Sequence, residues 1–164
     1  MKSTVIIAAV VTMTLTAFTT QPPSDRVQAS VRLADAIVSS LKHNSSEEFV
    51  SNLAQLEDLH SWMDANKVFY GTNLEEAKQE FDSQWVSDVL PDTHKSFQTL
   101  IEQGKAKGIR WNEIRLVTAS LSSEKSMTHL DITFVHSGKE YAIRIKNILW
   151  LNNTWKASQY IAFV

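Results

Sequence analysis

A change of period at Gly108 divides this chain in two. Before it, apolar residues recur three and four apart; after it, they alternate. A period near 3.6 buries one stripe only when the backbone is helical, and a period of two buries one face only when it is extended. The chain therefore reads as helices over about 24–107 and sheet over about 109–164. That order makes an α+β domain, with several N-terminal helices packed on a four-stranded antiparallel meander.

Within the helical part, Ser24 and Asp25 stand ready to cap a stripe of Val27, Val31, Ala34, Ile37, Val38 and Leu41. Ser45 and Glu48 have the spacing of a capping box, followed by Phe49, Leu53, Leu56, Leu59 or His60, and Met63. Periodicity allows either one helix to Asn66 or two with a break near Asn52 to Gln55. Thr72 and Glu75 repeat the box spacing ahead of Leu74, Ala77, Phe81, Trp85 and Val89. Pro91 and Asp92 suit the start of a further helix, with Phe97, Leu100 and Ile101 as its stripe and Lys105 and Lys107 at its negative end.

Four runs carry the alternation: Ile109 to Leu121, Met127 to His136, Lys139 to Trp150, and Thr154 to Phe163. Ser137-Gly138 and Asn152-Asn153 supply residues that tolerate positive φ, as tight hairpins require. Parity turns Leu130, Ile132, Phe134, Tyr141, Ile143, Ile145, Asn147, Leu149, Trp155, Gln159, Ile161 and Phe163 toward the helices, and His129, Asp131, Arg144, Lys146, Lys156 and Tyr160 away from them. The first run changes parity, which a bulge near Leu116-Val117 explains.

Composition removes several classes of function. With no cysteine there is no thiolate nucleophile, thiolate-bound zinc or iron–sulfur cluster, and with 4 Gly there is no dinucleotide or P-loop fingerprint. The five histidines lack HxxxH or HExxH spacing, so no metal or other cofactor is expected. Residues 21–100 hold 6 Lys/Arg against 13 Asp/Glu, and residues 101–164 hold 9 against 5. The halves should attract, and a formal net charge of −2 argues against a nucleic-acid partner. Lys2 followed by the uncharged run Thr4 to Phe18, then Pro22 and Pro23, has the pattern of a signal peptide over about 1–20. Residues 21–164 would then be a single secreted or periplasmic domain without stable membrane insertion; an uncleaved N-terminal anchor is the alternative.

Helices followed by an antiparallel meander, closed by the aromatic pair Ile148-Leu149-Trp150 and Thr154-Trp155-Lys156, resemble the NTF2-like and cystatin-like group of cone-shaped α+β folds. The resemblance implies a sheet wrapped round the helices with a pocket at the open end. The chain departs from the group's pattern in one place: only Val68-Phe69-Tyr70 offers a strand where a hairpin between the second and third helices is usual.

Such a pocket would be lined by Trp85, Tyr141, Asn147 and Gln159 as ligand-binding residues. Amides among apolar strand neighbours must find partners, either across the sheet or on a ligand. No carboxylate falls on the inward sheet face by parity, so no catalytic residue is assigned, and Asp88 near Trp85 is the nearest helical acid. His129 and Asp131 share the outward face as a potential dyad, and Arg144, Lys146, Lys156 and Tyr160 form a basic patch there. The leading expectation is a non-catalytic binding or accessory module for a small-molecule or peptide ligand. The alternative is a cystatin-like interaction or inhibitor module with a protein partner, acting through its hairpin tips at Ser137-Gly138 and Asn152-Asn153 or its outer sheet face, and the third is a small enzyme of the NTF2-like kind.

Overall fold

The structure is a computed structural model that describes residues 23–124, 127–157 and 160–164; the proposed signal segment lies outside the described residues. Helices α1 (Pro23–His43), α2 (Ser46–Ser51), α3 (Leu56–Ala65), α4 (Leu74–Gln84) and α5 (Leu90–Ala106) precede strands β1 (Arg115–Glu124), β2 (Met127–His136), β3 (Lys139–Ile145), β4 (Leu149–Leu151), β5 (Thr154–Lys156) and β6 (Ile161–Phe163). The main sheet has the order β1-β2-β3-β6 and is antiparallel throughout, and β4-β5 form a separate two-stranded sheet.

The helix starts follow capping chemistry only in part. Helix α1 begins at Pro23, so Asp25 falls inside its first turn, where it favours the positive end of the dipole. Ser45 accepts from the Glu48 N–H at 3.1 Å, but the Glu48 carboxylate bonds His43 at 3.0 Å instead of closing the box. Thr72 and Glu75 form no box, since Glu75 pairs with Lys78; the closed box is Gln55 with Asp58, at the start of α3. The chain breaks between α2 and α3 because its backbone is taken elsewhere: Asn52 C=O accepts from Ala157 N–H at 2.8 Å, and Leu53 bridges Ala157. Pro91 stands in the first turn of α5, as expected, but the helical path runs into it from α4 without a loop. A π turn over Trp85–Val89 joins α4 to α5, with Leu90 N–H reaching Trp85 C=O, and this widened turn keeps Trp85 and Val89 on the buried side. Residues Lys67–Phe69 form a 3-10 turn, so no strand separates α3 from α4.

Helices α1 and α5 cover the inner face of the sheet. Ile37 and Leu41 of α1, Phe97 and Leu100 of α5, Leu130, Ile132 and Phe134 of β2, and Ile143 and Ile145 of β3 are wholly buried in one cluster. Phe49 packs on Phe97 at 5.4 Å, and Trp111 lies between Phe134 and Phe163 at 5.6 and 6.1 Å. Val27 and Val31 do not join the buried stripe of α1: both are exposed, and Ala29, Ser30, Leu33 and Ala34 form the buried face there.

Sheet register agrees with parity at most positions. Leu116 faces Phe134 while Thr118 faces Thr133, so Val117 is the extra residue of a bulge. Ser137 and Gly138 (φ 50 and 77) make the β2-β3 turn, and Asn152 and Asn153 (φ 49 and 59) make the β4-β5 turn. The third and fourth alternating runs, however, are each broken in two. Strand β3 ends at Ile145, and Asn147 adopts the left-handed conformation with φ 58. The chain there leaves the main sheet, makes the β4-β5 hairpin against α1 and returns as β6.

Candidate functional site

The expected lining residues are dispersed. Trp85 is buried in the π turn with its ring 6.3 Å from that of Phe81. Tyr141 is half-buried on β3, stacked on Phe134 at 5.7 Å with the Lys139 ammonium 5.2 Å from its ring. Asn147 stands in the bend after β3, about 20 Å along the chain from Tyr141 at 3.3 Å per residue. Gln159 lies outside the described residues. Three surface grooves stand out among the described residues, and none is lined by Trp85, Tyr141 or Asn147. Asp88 is exposed.

Because Asn147 is in a bend, strand parity does not describe it. Its N–H donates to His129 Nδ1 at 3.1 Å, while its side-chain Oδ1 is buried and makes no hydrogen bond. An accepting Nδ1 places the His129 proton on Nε2. This contact also accounts for the burial of His129, which parity sets on the outer face, since the bend folds over it. His129 and Asp131 form no dyad. Asp131 instead receives Arg144 Nε at 2.6 Å and Nη2 at 3.0 Å, with Ser122 Oγ at 2.7 Å. The Arg144 hydrogen bonds, aided by Ser122 and opposed by burial, hold the Asp131 carboxyl below its ordinary range.

The outer basic patch is dispersed in the same way. Arg144 is engaged by Asp131, and Lys156 belongs to the smaller sheet, where it pairs with Asp58 at 3.2 Å. Asp58 also accepts from Asn152 Nδ2 at 2.9 Å and from Gln55 N–H at 3.2 Å. Burial pushes its carboxyl upward, but Lys156, Gln55 and Asn152 together outweigh that and leave it lowered. This node joins α3 to the β4-β5 hairpin across 94 residues, and it realises the charge attraction between the two halves. No local pattern could reveal it. His60 and Asp82, 2.7 Å apart, tie α3 to α4 in the same manner. Among the described residues, no three of His, Cys, Asp and Glu converge as a metal site would need. No described helix is long and apolar enough to cross a membrane.

A groove of about 360 Å³ lies between α5 and β6. It is lined by Asp92, Lys95, Ser96, Thr99, Leu100 and Gln103 on the helix and Tyr160, Ile161 and Ala162 on the strand. Leu100 and Ile161 are buried apolar residues at its base, and Asp92, Lys95, Thr99, Gln103 and Tyr160 are exposed around it. Strand β6 is the end strand of the main sheet. Lys146 N–H donates to Tyr160 C=O at 3.2 Å, and Val164 N–H to Ala142 C=O at 3.1 Å. Antiparallel alternation therefore turns the peptide groups of Ile161 and Phe163 away from β3, toward the open edge. The groove combines an apolar base, a polar rim and strand hydrogen-bonding groups that β3 does not use. A second groove, of about 270 Å³, runs between α1 and the β4-β5 hairpin past Arg32, Asn52, Trp155 and Lys156. The third, of about 360 Å³, lies between α1 and the start of β1.

Comparison with protein-family models, with curated proteins and with solved structures gives no match for this chain.

Proposed function

We propose that the chain is an exported, non-catalytic binding domain of NTF2-like or cystatin-like build that takes a short extended peptide along the β6 edge. The observation that carries this reading is the α5-β6 groove beside an open strand edge. Adding a strand to such an edge satisfies main-chain groups for affinity, while alternate side chains of the peptide enter the groove and supply selectivity. Ala162 beside Ile161 suits an apolar side chain, and Asp92 and Lys95 can read polar neighbours at the rim. An open trough of this kind fits an extended chain better than a small molecule, which needs enclosure to bury most of its surface. Export rests on Lys2 and the uncharged run Thr4 to Phe18.

The test is selection of random peptides against the purified protein, followed by amide chemical-shift mapping of the winners. Shifts should concentrate at Ile161, Phe163 and the facing side of α5. Thr99→Trp, which fills the groove from an exposed helix position, should weaken binding by about tenfold or more. Peptides that leave the Ile161 and Phe163 amides unmoved refute the reading.

A further inference from the structure

The opposite edge of the sheet differs from the β6 edge. Strand β1 is ten residues long and stands at the end of the order β1-β2-β3-β6, with no strand beyond it among the described residues. Long free edges are commonly blunted by lysine, proline or inward charges. Between Leu116 and Ser123 this edge has none of these, only the bulge at Val117. We propose that β1 pairs antiparallel with β1 of a second copy of this chain, about a two-fold axis at Ser120, to make one continuous eight-stranded sheet.

Hydrogen-bond alternation shows which groups are open. Since Tyr160 and Val164 bond to Lys146 and Ala142, residues 141, 143 and 145 of β3 bond to Phe134, Ile132 and Leu130 of β2. His129, Asp131 and Thr133 then bond to Ser122, Ser120 and Thr118 of β1. The N–H and C=O groups of Ala119, Leu121 and Ser123 are left pointing to the free edge. A two-fold axis at Ser120 sets Ala119 against Leu121 of the copy, and these two residues exchange both hydrogen bonds, twice by symmetry. Ser120 faces its own copy in the narrow, non-hydrogen-bonded pairing, where Cα atoms come within about 4.5 Å and a small side chain is required.

The side chains are self-complementary in the same register. Arg115, Thr118, Ser120, Ser122 and Glu124 lie on the outer face, opposite Val135, Thr133, Asp131, His129 and Met127. Read along the strand they are a cation, three small hydroxyls and an anion. An antiparallel copy reverses that order, so Thr118 meets Ser122. The extra residue at Val117 shifts the frame by one, which brings Arg115 to Glu124 at both ends. Both are exposed. Asp35 and Lys42 of α1 line the groove beside the start of β1 together with Arg115, so the helix adds one charge of each sign there and the Arg115–Glu124 pair carries the contact. A two-fold contact of this kind closes on itself, so the assembly stops at two chains.

Sedimentation velocity on the purified protein tests this. The wild-type chain should be a dimer. Arg115→Glu places like charges together at both ends and should raise the dissociation constant about tenfold or more. Arg115→Glu with Glu124→Arg should restore it. Ser120→Lys, at an exposed position, should give a monomer, and circular dichroism should show that this variant keeps the wild-type fold. A wild-type chain that remains monomeric at every concentration overturns the proposal. So does a dimer indifferent to both Arg115→Glu and Ser120→Lys, or a charge reversal that fails to recover.

Discussion

Gly104 gives a prediction in which two physical effects of opposite sign compete. It sits inside α5, where replacement by alanine ordinarily stabilises a helix by about 1 kcal/mol through reduced backbone freedom in the unfolded chain. Here the face of the helix at Gly104 is occupied by the Trp111 indole. A methyl group added at Gly104 would overlap Trp111 Cζ2 and Cε2 and lie 2.8 Å from Nε1. The obstruction is a rigid bicyclic ring. Trp111 is 6% exposed, its Nε1 donates to Ile101 C=O at 3.1 Å, and its ring packs on Phe134 and Phe163. Relief must therefore come from displacing the ring or the helix. Overpacking of this sort costs about 1–3 kcal/mol, and losing the buried indole hydrogen bond adds about 1–2 kcal/mol. Against a helix gain of about 1 kcal/mol, Gly104→Ala should destabilise by about 1–4 kcal/mol. Urea melts followed by tryptophan fluorescence measure this directly. A Gly104→Ala variant as stable as wild type, or more so, would refute the close approach of α5 to Trp111. Gly104→Ala combined with Trp111→Leu should lose less than the two single changes added together, because the clash is shared.

Two further predictions follow from the outer face of the sheet. Asn147→Leu should lower stability by about 1 kcal/mol, since a left-handed residue is being replaced by one that avoids that region, while Asn147→Gly should match or exceed wild type in the same melts. Leucine tolerated without loss would restore the strand reading of that position. Asp131 has its carboxyl lowered by Arg144, so the stability it contributes is present above the unfolded aspartate value of about 3.9 and is lost as pH falls through the lower folded value. Asp131→Asn should cost about 1 kcal/mol at neutral pH, modest because both side chains remain partly exposed, and its stability should vary less below about pH 4 than that of the wild type.

Several features were legible from local sequence because their causes are local. The change of period at Gly108 reflects which backbone geometry can bury a given spacing. Ser137-Gly138 and Asn152-Asn153 turn where expected because few residue types accept positive φ, and the parity change near Leu116-Val117 is itself the bulge. Tyr141, Ile143, Ile145, Asn147 and Leu149 read as one unbroken inward series, yet the strand stops within it. What ends it is a hydrogen bond to His129, 18 residues away, at a residue that tolerates the left-handed bend. That break sends β4 and β5 out of the main sheet and separates the amide once expected to line a central pocket.

Local residue chemistry sets the class of the fold, the order of its elements, the apolar faces of its strands and the positions of its tight turns. These follow from steric limits on each residue and from the burial of apolar side chains at a fixed spacing. Contacts between distant segments set where strands end, where the helical run between α2 and α3 breaks and which charges meet. Asn52 and Leu53 leave the helix to pair with Ala157, Asp58 meets Lys156, and β6 completes the main sheet beside α5. Each of these rests on hydrogen bonds or ion pairs between groups far apart in the chain, and their geometry exists only once the backbone has closed around them.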